Sequence, residues 1–380
     1  MIRRFAKTFN AMRQVFLIAA ALLAISFISG VASAQTNPSF DCQKARTPQE
    51  KLICSDSSLA KADRAMAQSY RTLLANNRDL RREIVINQRQ WLRKRDDRYC
   101  LKLGEREQQI RCIESSYDER RQQLQSKELL VCGPAEQGEA RFSISCHAPN
   151  LIQRSGFTLS GNVDGLVAEL EQLAFLENGT IVQELAVEGT IWSGGIESAL
   201  RLMDIDFDGH PDLQLWNASS AGPNMGYRYF LYQPETNRLA VANVDDQLSG
   251  FEIFPDPQNK TITVTGRVSC CQWANTRYHW VKEELRLLSV RDDGSGLYWD
   301  LPFLGDKTPP DCLARTRHYN DREELTHIEI APGGICEPEG DADIITFLNA
   351  LRKDPQGYRL DIADDTHFTI IYDQPQETRY

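Results

Sequence analysis

The sequence is as informative in what it lacks as in what it holds. It has only 6 His and 5 Met in 380 residues. Neither H-E-x-x-H nor G-x-S-x-G occurs, and no glycine-rich nucleotide loop is present. The local signatures of zinc proteases, serine hydrolases and nucleotide enzymes are therefore absent, and the chain is expected not to be an enzyme. There is no excess of basic charge: the formal net charge is -10. A generic nucleic-acid binder needs a basic face, so nucleic acid is not an expected partner. No apolar run beyond residue 34 approaches the roughly 18 residues needed to span a bilayer.

What is present begins with a leader pattern. Arg3, Arg4, Lys7 and Arg13 precede an apolar run from Val15 to Ile28, which ends in Ala32-Ser33-Ala34. Small residues at that spacing suit a signal peptidase, so residues 1–34 read as a cleaved signal peptide. The expectation is a periplasmic or secreted protein with no stable membrane insertion after cleavage. An oxidising compartment makes disulfides the default state of the ten cysteines, all of which follow residue 34.

The charge divides unevenly. Residues 35–128 carry 20 Lys+Arg against 14 Asp+Glu, a net of +6, whereas residues 129–380 carry a net of -20. Such asymmetry marks a domain boundary. Apolar spacing changes at the same place. Leu59, Ala62, Met66, Tyr70, Leu73 and Leu74 fall on one helical face, with Ser57 or Ser58 as a cap. Ile84, Val85, Gln88, Trp91, Leu92 and Tyr99 mark a second helix, and Ile110, Ile113, Tyr117 and Leu124 a third. A short helix near 48–53 precedes them. The expected fold is α+β as separate domains: a disulfide-stapled antiparallel helical bundle, then an all-β, propeller-like domain. Cys42, Cys54, Cys100 and Cys112 would staple the bundle, in one of three pairings. A four-cysteine zinc site would want a C-x2-C pair, which is missing.

After residue 129 short alternating runs are divided by turns, Asn178-Gly179 being the clearest hairpin signal. Cys132 and Cys146 should bridge the first hairpin. Cys270 and Cys271 are adjacent, open to a vicinal bridge or to separate bridges with Cys312 and Cys336. The strongest chemical motif is Asp204-Ile205-Asp206-Phe207-Asp208-Gly209-His210-Pro211-Asp212. Asp204, Asp206, Asp208 and Asp212 stand at positions 1, 3, 5 and 9 of a calcium loop. Gly209 allows the sharp turn, and His210 offers its backbone carbonyl. Leu215 at position 12 and strand-like flanks exclude an EF-hand. The expected cofactor is a structural Ca2+. Residues 301–380, with a helix over 343–352 and a strand over 368–372, read as a C-terminal extension of the β domain.

Two resemblances accompany these patterns. Phe40-Asp41-Cys42, Glu50-Lys51-Leu52-Ile53-Cys54, Leu59-x3-Asp63-x6-Tyr70, Gln88-x2-Trp91-Leu92-x2-Arg95-Asp96, Cys100 and Cys112-Ile113-x3-Tyr117-x2-Arg120 together resemble the LprI-type lysozyme-inhibitor domain over residues 35–128. The Asp204–Asp212 loop, with Leu213-x-Leu215, Gly222–Tyr227, Tyr229-x-Leu231-Tyr232 and Cys270-Cys271-x-Trp273, resembles FG-GAP/VCBS calcium-binding, propeller-like proteins. That β domain is placed at residues 129–300. Some proteins of that kind are periplasmic immunity proteins against peptidoglycan-cleaving glycosidases. The resemblances imply an exported inhibitor or immunity protein against a basic lysozyme-like glycosidase. The alternative is a calcium-stabilised cell-envelope module that binds glycan or protein without inhibiting. Asn224, Met225 and Tyr227, in a small-residue loop, are the expected partner contacts.

Overall fold

A computed structural model describes residues 37–97, 99–138, 140–151, 155–220, 222–268, 272–281, 284–294, 313–332, 358–363 and 367–376. The chain divides into two compact units. One holds Met1–Arg71 and Arg93–Gln122; the other holds Thr72–Leu92 and Gln123–Tyr380.

The first unit is helical. The helices are α1 (Pro48–Ser55), α2 (Ser57–Asn76), α3 (Arg81–Asp97) and α4 (Arg106–Gln125). The middle two continue into the second unit. α1 starts at a capping box. Thr47 Oγ1 accepts from the Glu50 amide at 3.1 Å, and Glu50 Oε2 accepts from the Thr47 amide at 2.9 Å. Pro48 adds the favoured φ at the first helical position. The cap of α2 is Asp56, not Ser57 or Ser58. Asp56 Oδ1 accepts from the amides of Ser58 and Leu59, at 2.9 and 3.1 Å. A carboxylate one residue earlier satisfies two otherwise orphan donors.

The two bridges in this unit are Cys42–Cys54 and Cys100–Cys112, which settles the pairing. Ile53, Leu59, Ile113 and Tyr117 are buried at the centre. A polar chain crosses that core. Arg95 Nη1 donates to Tyr117 Oη at 2.8 Å, and the Tyr117 hydroxyl donates to Asp63 Oδ1 at 3.0 Å. Buried charges are tolerated because each is paired and hydrogen-bonded.

The second unit carries two largely antiparallel sheets. The first contains β1 (Val131–Cys132), β2 (Glu136–Gln137), β3 (Arg141–His147), β4 (Ser155–Asp164), β5 (Val167–Glu177), β6 (Thr180–Trp192), β7 (Leu200–Met203), β8 (Asp212–Ser219), β9 (Met225–Gln233) and β10 (Arg238–Ala242). Its main order is β1-β3-β4-β5-β6-β8-β9-β10, with β2 on β3, β7 on β8, and a parallel bridge between β6 and β8. The second contains β11 (Glu252–Asp256), β12 (Thr261–Arg267), β13 (Gln272–Val281), β14 (Glu284–Gly294), β15 (Leu313–Tyr319), β16 (Leu325–Pro332), β17 (Tyr358–Ile362) and β18 (Phe368–Gln376), in the order β11-β12-β13-β14-β15-β16-β18-β17. The fold class is α+β, as expected. Within the β region the described strands form two open sheets of ten and eight, whereas a propeller blade has about four.

Local chemistry explains the meander. Asn178 and Gly179 both take positive φ, 49° and 81°, and join β5 to β6 in a tight turn. A two-residue turn of that hand matches the twist of paired strands. Cys132 bonds Cys146 across β1 and β3. Phe142, Ile144, Phe157, Leu159, Leu173 and Phe175 alternate onto the buried face of the first sheet. A second apolar cluster joins the sheets: Met203, Ile205 and Tyr229 pack with Ile253, Ile262, Val264 and Leu285. Burying such side chains contributes roughly 1.5–3 kcal/mol each. Cys270, Cys271, Cys312, Cys336, the leader and the helix over 343–352 lie outside the described residues.

Candidate functional site

The acidic loop sits where β7 turns into β8. Met203 pairs with Asp212, so residues 204–211 must reverse the chain within a few ångströms. The loop does this by folding its carboxylates back on its own amides. Asp204 Oδ1 and Oδ2 accept from the amides of Asp208 and Gly209, at 3.1 and 3.0 Å. Asp206 Oδ1 also accepts from the Asp208 amide at 3.2 Å, and Asp208 Oδ1 from the His210 amide at 2.7 Å. Phe207 and Gly209 take φ of 61° and 89°. Glycine makes the second reversal without strain; at Phe207 a side chain is carried through the left-handed region.

The result brings Asp204, Asp206 and Asp208 together, with one oxygen of each within 4.8 Å of the others. Burial raises the pKa of Asp204 and Asp206 above the ordinary carboxylate value, and Asp208 adds to both. Among the described residues no lysine or arginine pairs with these three carboxylates, and His210 Nδ1 lies 3.3 Å from Asp208 Oδ2. Three convergent, like-charged oxygens in a tight loop fit a hard cation such as Ca2+.

Asp212 is placed differently. It is 1% exposed, and its two oxygens accept from the amides of Ile205 at 3.0 Å and Tyr232 at 2.9 Å. Burial, then Asp206, push its carboxyl up to about 8. Its observed work is to fasten the loop to β9. The structure shows it outside the set of three. His210 has its ring turned toward Asp208 and Tyr232.

The loop is also wired to its surroundings. Lys127 Nζ donates to the Gly209 carbonyl at 3.2 Å, and the Asp204 amide donates to Glu128 Oε1 at 3.2 Å. Ile205 is fully buried between the two sheets, and its carbonyl accepts from Trp280 Nε1 on β13. The loop therefore touches both sheets.

Asn224, Met225 and Tyr227 are drawn into the same junction. The Asn224 amide exchanges two hydrogen bonds with the Arg267 backbone, both 2.8 Å. Met225 and Gly250 exchange backbone bonds of 2.8 and 3.0 Å. Tyr227 Oη donates to Met225 Sδ at 3.4 Å, and burial raises its pKa. Their polar groups are committed inside the protein.

Beside the loop lies a groove of about 810 Å³. Asp206, Asp208, Glu235, Glu284 and Glu323 line it together with Trp280. Arg286, which also lines it, is paired with Glu284. Glu235, Glu284 and Glu323 come from separate strands and loops, so no spacing in the sequence announces them. Among the described residues no helix is long and apolar enough to cross a membrane.

No family model matches the chain, and no curated protein matches it. A solved structure described as that of a Xanthomonas type IV secretion system related protein is similar at 12% identity with a TM-score of 0.35, covering 51% of this chain and 96% of that chain.

Proposed function

We propose that the protein is an exported binding protein that inhibits, or gives immunity to, a basic lysozyme-like peptidoglycan glycosidase. The observation that carries this reading is the groove, which Glu235, Glu284 and Glu323 line beside the aspartate loop, with one arginine, Arg286, itself paired with Glu284. Such a surface attracts a cationic partner and raises its association rate. The three bridges Cys42–Cys54, Cys100–Cys112 and Cys132–Cys146 suit an oxidising compartment such as the periplasm or the exterior. Ca2+ held by Asp204, Asp206 and Asp208 serves structure: it fixes the loop that Ile205 and Trp280 tie to both sheets. The resemblance of the helical segment to LprI-type inhibitors agrees with this assignment.

Purified protein tests the reading against c-, g-, i-type and GH19-like lytic enzymes. Inhibition of at least one at micromolar protein is the expected result; no inhibition across the panel at that concentration contradicts it. A second reading, a calcium-stabilised envelope module, is favoured by the presence of Trp280 in the groove lining, an aromatic residue that suits contact with a sugar ring. Retention on peptidoglycan that a chelator abolishes, with no enzyme inhibition, selects that reading.

A further inference from the structure

The histidines of the sequence are scattered, yet β15 and β16 bring two of them together. His318 and His327 are direct cross-strand partners. Glu329 follows His327 by two residues, so it stands on the same face. The imidazole rings stack at 4.2 Å between centroids, inclined by only 5°. One ligand atom from each of His318, His327 and Glu329 lies within 4.8 Å of the others.

Among the described hydrogen bonds, one uses Nδ1 of His327 and none uses Nε2 of His318. Thr326 Oγ1 donates its one proton to the His318 carbonyl at 3.1 Å. Its oxygen then accepts from His327 Nδ1–H at 2.9 Å. In a neutral ring this leaves the Nε2 lone pair of His327 available, the outer-sphere arrangement that orients metal-binding histidines. His318 Nε2 is buried and has no aligned hydrogen bond, although Glu329 Oε2 is 3.1 Å away. Donors of a tetrahedral zinc site stand about 3.3 Å apart, since each is roughly 2.0–2.2 Å from the ion. The nitrogen–oxygen pair already has that spacing.

We propose that His318, His327 and Glu329 form a binding site for a divalent transition metal of the zinc class, with two imidazoles, one carboxylate and a fourth position open to water. Two nitrogens and one oxygen suit zinc better than calcium, which takes oxygens alone. The site is chemically distinct from the aspartate loop and does not depend on the inhibitor reading.

The test uses the full-length mature protein, stripped with chelator and titrated with Zn2+ against a chromophoric competitor. One equivalent should bind at micromolar or tighter concentration. His327→Gln and Glu329→Gln should each weaken binding by about 10-fold or more. Co2+ should give tetrahedral visible absorption in the wild type that His327→Gln removes. If the variants fold poorly, imidazole nitrogen resonances of the wild type provide the second readout: zinc should shift those of both His318 and His327. Equal zinc affinity in a folded His327→Gln protein, or no wild-type binding at about 100 micromolar Zn2+, overturns the assignment. So do imidazole resonances that zinc leaves in place.

Discussion

At the residue scale, the buried chain Arg95–Tyr117–Asp63 holds the helical core to one arrangement. Tyr117→Phe keeps the packing but leaves two charged groups without the hydroxyl that joins them. It should lower stability by about 1–3 kcal/mol, read as a fall in the denaturation midpoint. Glu50 gives a pH dependence of known sign. Its hydrogen bonds from the Thr47 and Arg46 amides hold its pKa below the ordinary value. That stabilisation is present above the unfolded pKa and is lost as pH falls through the lower, folded one. Glu50→Gln should therefore flatten the acid limb of the melting curve; an unchanged limb would remove Glu50 from the account. Tyr117 was legible in the sequence on the third helical face, whereas Arg95 and Asp63 stood there only as residues of the resemblance. The Asp56 cap was not legible, because two adjacent serines offered an equally good pattern.

At the element scale, turns explain what could be read and what could not. Asn178-Gly179 announces its hairpin because few other pairs take two positive φ values. Gly179→Ala should cost about 1 kcal/mol by placing a Cβ in that conformation. A variant as stable as the wild type would show that the turn has changed type. The loop from Asp204 to Gly209 was legible for the same kind of reason: a local motif folds on its own amides. By contrast, β14, β15 and β16 carry polar and charged residues at many positions, which hides their alternation. His318 and His327 become neighbours only through strand register, and register is a property of the pair rather than of either strand. Asn224 and Tyr227 read as loop contacts because the sequence cannot show Arg267 or Met225 arriving to occupy them.

At the scale of the molecule, the charge imbalance between the halves was plain in composition, but its concentration beside the aspartate loop was not. Glu235, Glu284 and Glu323 meet there only once two sheets have formed around the Ile205 cluster. Because that loop bonds to both sheets, removing Ca2+ should lower the melting temperature of the β region. The signal from α1 and the disulfide-linked helices should remain nearly unchanged. Asp206→Asn should reproduce the shift and abolish the response to chelator. Near-ultraviolet tryptophan signals against helical circular dichroism separate the two transitions; coincident curves with no chelator effect would refute the structural role of the cation. The most direct test of the whole account is a titration of a basic lysozyme-like glycosidase with wild-type protein and with Glu235→Lys/Glu284→Lys/Glu323→Lys. Wild type should inhibit at micromolar concentration in low salt, and the folded variant should be weaker by about 10-fold or more, in keeping with electrostatic steering. Equal inhibition by the two proteins, or none by either, would contradict the groove as the binding surface.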